Sequence, residues 1–263
     1  IASCLVGSEM CIRDSLISTL IIILTLSFIV EFKIQETFMS TQNILVIGDS
    51  HTQVFKYCND KNTGYNFDVQ KVSGATAQGS VNPNSKTNAL NIFREYLKNI
   101  NCDKYKYIII MLGEVDCGFV FWVRSKRYNI SVDEQMKSSL NNLWEFIDNE
   151  VHKYFDYDKI ILAGAPLPTI KDNANKKFLN GARAEVTENQ EVRTIKTLEY
   201  NSLLKKQTEE KGCKYIDITN NIIQNKKVNN IYLSDDESDH HLSNERTYNF
   251  WLNNLNNVTN SLK

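Results

Sequence analysis

The chain has 263 residues, of which 42% are hydrophobic and 23% are charged. This composition is typical of one globular domain with a sizeable core, and it argues against a fibrous or disordered protein. The formal net charge of -1 leaves a nucleic-acid partner without electrostatic support. The six cysteines include no CxxC pair, so they indicate neither a zinc site nor a disulfide framework.

The first 38 residues differ from the rest of the chain. Residues 16–30 form an apolar run, shorter than the roughly 20 residues that a membrane-spanning helix needs. Such a run is compatible with a signal peptide or a membrane anchor, which would make the protein secreted or membrane-anchored. Residues 6–15, however, resemble a translated sequencing-adapter scar, and Met39 looks like a natural start. We therefore interpret residues 1–38 as an artefactual extension, assign the domain to residues 39–263, and expect a cytoplasmic protein without membrane contact.

Strand and helix patterns alternate through the rest of the chain. Apolar segments predict strands at 43–48, 67–72, 105–112, 159–163 and 213–218. Apolar residues at intervals of three or four predict helices at 86–100, 131–155, 190–211 and 243–262. In the third of these helices, the predicted apolar side consists of Val192, Ile195, Leu198 and Leu203. The alternation predicts right-handed crossovers in an α/β protein, a three-layer α/β/α sandwich around a five-stranded, mostly parallel sheet.

A small polar turn ends the first predicted strand. Gly48, Asp49 and Ser50 follow an aliphatic run, which places Ser50 at the carboxyl end of that strand. Ligands of open α/β sheets bind at this edge, where the next helix presents free backbone N–H groups. A serine at this place can act as a nucleophile if a base removes its proton. His51 is interpreted as a structural or substrate-side residue, because neighbouring side chains in a helical turn point in different directions.

The candidate base lies near the other end of the chain, where His240 and His241 follow an acidic stretch. Histidine suits this task because its pKa lies near neutrality, and a carboxylate can fix its tautomer. A Gly-Asp-Ser turn at residues 48–50, combined with this late Asp/His cluster, resembles the SGNH, or GDSL-type, hydrolase family. The resemblance extends in order through most of residues 43–255. It implies a flavodoxin-like fold and a serine esterase that needs no metal and no organic cofactor.

Within this resemblance, His241 matches the catalytic histidine because a Leu-Ser pair follows it. The family places the acid three residues before the histidine, where this chain has Ser238. We therefore assign His241 as the base and Asp239 as the orienting acid. The alternatives are His240 as the base and Asp235 or Asp236 as the acid.

The family also surrounds the developing oxyanion with hydrogen-bond donors. The resemblance assigns two of these roles to the backbone N–H groups of Ser50 and Gly74, although Gly74 equally suits a turn that needs a positive φ. The third donor is an asparagine side chain in a Gly-x-Asn-Asp motif, which aligns with residues 113–116. Val115 stands in place of that asparagine and cannot donate, so catalysis would use two donors, use a substitute side chain, or be weak. The candidate substitutes are Gln78 and Asn84.

The same alignment places Gly113, Glu114 and Asp116 beside the pocket, where the two acids either shape substrate binding or hold the loop. Residues 169–188 are interpreted either as a lid on the site face or as a plain connection. Four aromatic residues after the third strand either stack on a sugar ring or belong to the core: Phe119, Phe121, Trp122 and Tyr128.

The resemblance implies hydrolysis of acyl esters, and the aromatic residues favour removal of acetyl groups from a carbohydrate. The expected partner is a small-molecule or carbohydrate ester. Two alternatives stay open. An acyltransferase could use the same triad, and a non-catalytic binding module could have evolved from a decayed hydrolase, as Val115 and the displaced acid would suggest.

Overall fold

A computed structural model of the chain describes residues 22–25, 27, 41–175, 177, 179–236 and 238–260. The chain divides into two units, Ile1–Thr41 and Gln42–Lys263. In the first unit, residues 22–25 and 27 are helical, and the rest of the predicted apolar run lies outside the described residues. None of the helices in the described ranges is long and apolar enough to cross a membrane.

One parallel sheet organises the second unit. Its strands are β1 (Gln42–Gly48), β2 (Tyr65–Lys71), β3 (Tyr107–Met111), β4 (Ile160–Ala163) and β5 (Lys214–Ile216). Their spatial order is β2-β1-β3-β4-β5, and every pairing is parallel. This order reverses direction between β1 and β3, which opens a crevice at their carboxyl ends. The residue that follows β1 by two positions, Ser50, lies at that crevice.

Helices cover both faces of the sheet. They are α1 (Gln53–Cys58), α2 (Ala89–Asn99), α3 (Phe121–Tyr128), α4 (Val132–Phe146), α5 (Ala182–Glu185), α6 (Gln190–Glu210), α7 (Thr219–Ile222) and α8 (Asn244–Asn260). π-Helical turns at Asp116–Val120 and Ile147–Val151 precede α3 and follow α4. A short antiparallel hairpin joins β6 (Ile223–Gln224) to β7 (Lys227–Val228).

Alternating residues of the strands supply two separate cores. Leu45 and Ile47 of β1 pack in the cluster that includes Phe93 of α2, whereas Ile44 and Val46 pack in the cluster that includes Trp251 of α8. This alternation arises because successive side chains of a strand point to opposite faces. It confirms the predicted three-layer α/β/α sandwich.

The predicted apolar side of α6 is not its buried side. Val192, Ile195 and Leu203, which were predicted to share one side of the helix, are 42%, 47% and 39% exposed. The buried side instead carries polar residues that bind the backbone after β4. The Asn201 amide accepts the N–H of Ala165 at 2.8 Å and donates to its carbonyl at 2.9 Å. These buried hydrogen bonds determine which side of the helix faces the sheet, because leaving the backbone groups unpaired would be costly.

The aromatic segment after β3 spans the π-helical turn Asp116–Val120 and α3, neither of which the sequence patterns predicted. Three of its aromatic residues are core residues rather than an exposed platform, and only Tyr128 is exposed among the four considered. The predicted helix over 131–155 begins with the expected capping box of Ser131 and Glu134. Its α-helical part ends at Phe146, where the chain continues as a π-helical turn.

Candidate active site

Ser50 lies in a tightly constrained turn directly after β1. The N–H of Asp49 donates to the carbonyl of Met111 at 3.1 Å, which ties the turn to β3. The Asp49 carboxylate accepts the N–H of His51 at 2.8 Å and caps the 3₁₀ turn Ser50–Thr52. A Cβ at Gly48 would lie only 2.1 Å from the Met111 carbonyl oxygen. Glycine at position 48 therefore permits the close approach that presents Ser50 at the edge of the sheet.

The loop before α8 brings His241 and Asp239 to Ser50. The His241 Nε2 lies 2.7 Å from the Ser50 Oγ, and the His241 Nδ1 lies 2.5 Å from the Asp239 Oδ1. Asp239 also accepts the backbone N–H of His241 at 3.1 Å. When Nδ1 donates to the carboxylate, Nε2 is left to accept the proton of the Ser50 hydroxyl. The structure thus brings together the three residues that the sequence suggested as nucleophile, base and acid.

The electrostatic surroundings favour a neutral base beside an ionised acid. Burial, followed by repulsion from His51, lowers the pKa of His241, although Asp239 acts in the opposite direction. Burial acts to raise the pKa of Asp239, but hydrogen bonds and the charge of His241 outweigh it, so that this pKa lies below its usual value. At neutral pH, His241 can therefore accept a proton while Asp239 stays negatively charged.

The alternative base and acids are engaged elsewhere. The backbone carbonyl of His240 accepts the hydroxyl of Thr169 at 2.5 Å, and His240 lines a neighbouring cavity of about 260 Å³ that does not include Ser50. Asp235 forms an ion pair with Arg246. Asp236 accepts the backbone N–H of Ser238 at 2.8 Å. None of these contacts places a second base or acid in the hydrogen-bonded chain that ends at Ser50.

Replacing Asp239 with asparagine is expected to lower kcat for ester hydrolysis by about 10²- to 10⁴-fold. The asparagine amide can donate to Nδ1 as well as accept from it, so it no longer fixes the tautomer of His241. It is also neutral, so it does not stabilise the positive charge that forms on His241 during the reaction. Asp235→Asn is the matched control, since that exposed side chain pairs with Arg246, and its kcat should stay within about twofold. Equal losses in the two variants would contradict the assignment of the acid. Both are measured by steady-state kinetics on p-nitrophenyl acetate.

A cavity of about 440 Å³ opens over Ser50 and His241. Most of its other lining residues carry groups that form hydrogen bonds: Gln53, Lys71, Ser73, Ser234, Ser243, Asn244 and Thr247. His51 also lines this cavity, whereas Gly113, Glu114 and Asp116 do not. The lining is suited to a ligand with several hydroxyl or carbonyl groups.

Asp116 holds the loop that follows β2. Its carboxylate accepts the backbone N–H groups of Ala77 at 2.7 Å and Gln78 at 3.0 Å, and the hydroxyl of Ser139 at 3.0 Å. Gly74, in the same loop, has a φ of 75°, a conformation that favours glycine. Asp116 thus holds the loop after β2, and it does not line the cavity over Ser50.

Asp116→Asn is expected to lower the free energy of unfolding by about 1–3 kcal/mol, because an amide cannot accept all three donors. Burial raises the pKa of Asp116 to about 6, despite the bonds from Gln78, Ala77 and Ser139. Since this folded-state pKa exceeds the unfolded one, the contribution of Asp116 is greatest in acid and declines as the pH rises through about 6. The difference between wild type and variant should therefore narrow from pH 4 to pH 7 in urea denaturation. The exposed Asp60 provides the control Asp60→Asn, and an equally stable Asp116→Asn would contradict the supporting role.

The structure offers no side-chain donor in place of the missing asparagine among the candidates considered. Val115 is buried against Phe119 and Ile170 in a small apolar cluster. The Gln78 amide donates to the Gln135 side chain at 2.9 Å, and Asn84 is exposed. Neither Gln78 nor Asn84 lines the cavity over Ser50.

Sequence reasoning named His51 as a structural or substrate-side residue but missed its buried contacts with two carboxylates. The His51 Nδ1 lies 3.1 Å from the Asp49 Oδ1 and 3.7 Å from the Glu114 Oε2. Its ring centroid lies 4.7 Å from that of His241. The charged residues at positions 49, 51 and 114 were visible in the sequence, but only the parallel pairing of β1 with β3 brings them together. Within the described ranges, no three histidine, cysteine, aspartate or glutamate residues are placed to share a metal ion.

No protein-family model and no curated protein matches the chain. Solved structures do match its fold. A protein of Bacteroides fragilis provisionally named an acylhydrolase aligns with a TM-score of 0.55 at 14% identity, covering 84% of this chain and 88% of its own. A GDSL-like lipase of Bacteroides thetaiotaomicron aligns with a TM-score of 0.54 at 13% identity, covering 84% and 90%. A Streptococcus pneumonia protein provisionally named a platelet activating factor aligns with a TM-score of 0.56 at 16% identity, covering 91% and 98%.

At these low identities the likenesses show the fold alone, an α/β fold with one parallel sheet between two helical layers. More specifically, the chain shares its fold with a GDSL-like lipase, in line with the resemblance noted for the Gly-Asp-Ser turn at residues 48–50.

Proposed function

We propose that this protein is a serine hydrolase that cleaves O-acyl esters, with Ser50 as nucleophile, His241 as base and Asp239 as orienting acid. The observation that carries the proposal is the continuous chain of hydrogen bonds from the Ser50 Oγ through both ring nitrogens of His241 to Asp239. These residues come from opposite ends of the sequence, and they meet at the edge of the sheet where α/β proteins bind ligands.

The reaction would proceed in two halves. The Ser50 Oγ attacks the ester carbonyl while its proton passes to the His241 Nε2, and a tetrahedral intermediate forms. When this collapses, His241 returns the proton to the departing alcohol, and the acyl group stays on Ser50. Water then attacks the acyl-enzyme, giving its proton to His241, and collapse releases the carboxylic acid and restores the Ser50 hydroxyl.

The oxyanion would be stabilised by backbone N–H groups, those of Ser50 and of Gly74 in the loop held by Asp116. Val115 removes the side-chain donor of the related hydrolases, and one lost donor raises the barrier by roughly 3–4 kcal/mol. We therefore expect slow turnover unless binding of the natural substrate supplies compensating contacts.

The substrate best suited to the cavity is an ester of a polar alcohol, such as an acetylated carbohydrate. The argument from aromatic stacking does not support this, because Phe119, Phe121 and Trp122 are buried in the core. The support comes instead from the hydroxyl, amide and ammonium groups that line the cavity over Ser50, which match the hydroxyl groups of a sugar.

The site geometry favours hydrolysis over the two alternatives. The side chains of His241 and Asp239 are 35% and 40% exposed, so water can approach the acyl-enzyme, whereas an acyltransferase needs water to be excluded. The hydrogen bonds from Ser50 through His241 to Asp239 argue against a decayed, non-catalytic module. In such a module, catalysis would no longer select for the alignment of these three side chains.

Purified protein should hydrolyse p-nitrophenyl acetate and release acetate from glucose pentaacetate, as measured by absorbance and by an acetate assay. Short acyl chains should react faster than octanoyl chains. Transfer of acetyl to an added sugar at a rate above hydrolysis would favour the acyltransferase. The absence of both hydrolysis and transfer from pH 5 to pH 9 would reject the proposal in favour of a binding module.

A further inference from the structure

A buried imidazole beside the base has no part in the reaction outlined above. His51 lies in the first turn after β1, and its ring centroid is 4.7 Å from that of His241. Its Nδ1 faces two carboxylates, Asp49 at 3.1 Å and Glu114 at 3.7 Å. The side chains of His51, Asp49 and Glu114 are all at least nine-tenths buried. Two acids are therefore enclosed beside this ring, and the charges of Arg183 and Arg193 also act on Glu114.

The negative charges around this ring favour its charged form. Among the described residues, the buried atoms without a partner include the His51 Nε2, the Asp49 Oδ2 and both carboxylate oxygens of Glu114. A neutral His51 would remove the largest favourable charge interaction of Glu114, ahead of those with Arg183 and Arg193, and such a loss is costly away from water. Burial acts to lower the pKa of His51, but Glu114 and Asp49 outweigh it, and this pKa lies above its usual value. Arg183 acts in the opposite direction and does not reverse the result.

We propose that His51 is a positioning residue whose buried positive charge keeps His241 unprotonated, and so ready to accept a proton, in mildly acidic solution. This inference rests on the proposed role of His241 as the base. A cation next to a second imidazole disfavours a second positive charge. Asp239 and Asp49 face His241 and act against His51, and Lys71 lines the same cavity. The His51 ring contacts the His241 ring directly, with 4.7 Å between their centroids.

Glu114 obtains a role from the same arrangement. It is buried, it does not line the cavity over Ser50, and His51 is the ring that it faces. Its negative charge helps to keep His51 protonated, so its influence reaches His241 through His51. Burial, the largest influence, raises the pKa of Glu114, while His51 lowers it. Position 114 would thus affect the pH range of catalysis without touching the substrate.

The test is a nuclear magnetic resonance titration of the His241 ring in wild type and in His51→Gln. Glutamine removes the charge and keeps a polar group, so the pKa of His241 should rise by at least about half a unit. The acidic limb of kcat/KM against pH should move upward by the same amount. His152→Gln is the matched control, since His152 is exposed and stacks on Tyr157 with ring centroids 4.0 Å apart. It should leave both quantities unchanged.

An unchanged or lowered pKa of His241 in His51→Gln would overturn the inference. Should that variant fail to fold, Glu114→Gln retains the His51 ring and tests the same linkage. In Glu114→Gln, the pKa of His51 should fall and the pKa of His241 should rise. If neither pKa changed, the inference would also be overturned. Because the titration needs no turnover, a protein that hydrolyses no ester would reject the proposed function while still deciding whether His51 controls the protonation of His241.

Discussion

Ser50→Ala is expected to lower kcat/KM for p-nitrophenyl acetate by at least about 10³-fold. Without the Oγ, no acyl-enzyme can form, and the rest of the site can only promote direct attack by water. The backbone N–H of residue 50 and the turn around it are retained, so the folded state should persist. The rates are measured at pH 8 together with circular dichroism of each protein.

A surface serine provides the control for this substitution. Ser202 lies on the exposed side of α6, and Ser202→Ala should hydrolyse the ester at the wild-type rate. If folded Ser50→Ala kept more than about a tenth of the activity, the nucleophile would have to be another residue, and the proposed reaction would be wrong.

His241→Ala should reduce kcat by about 10³- to 10⁴-fold, because the Ser50 proton then has no acceptor within hydrogen-bond reach. His240→Ala should have a much smaller effect, since His240 lines the neighbouring cavity rather than the one over Ser50. Because His240 and His241 are neighbours in the same loop, the two alanine variants are closely matched controls for each other. Their single-turnover rates report the acylation step directly, and a larger loss in His240→Ala would mean that the other imidazole is the base.

The sheet could be predicted because strands buried on both faces are continuous apolar runs. The segment 105–112, for example, contains the whole of β3 at Tyr107–Met111. The meeting of Ser50 with His241 could also be predicted, although they are 191 residues apart. The resemblance implied it, because the family takes its histidine from a loop after the last strand, whereas strand ends alone place only Ser50 at that edge.

The orientation of α6 could not be predicted from apolar spacing. Val192 and Ile195 have the spacing of a buried side, but the partners of Asn201 and of the neighbouring polar residues are backbone groups after β4. Such partners have no signature in the helix sequence. The cost of leaving backbone donors and acceptors unpaired outweighs the gain from burying a few aliphatic side chains.

The buried charges around His51 escaped prediction for a different reason. Glu114 belongs to the segment after β3, and Asp49 and His51 belong to the segment after β1, so their contact depends on the register Gly48↔Met111. Val115 was recognised as a departure from the motif of the family that the sequence resembles, but its apolar neighbours Phe119 and Ile170 come from the π-helical turn and the segment after β4. Sequence spacing predicted neither of those positions.

The central claim is that Ser50 is the residue that becomes acylated, and a fluorophosphonate probe tests it most directly because the probe phosphonylates an activated serine. After labelling and proteolysis, mass spectrometry of the wild type should locate the adduct on Ser50, and the adduct should be absent from Ser50→Ala. An adduct on any other residue, or active protein that acquires no adduct, would contradict the account.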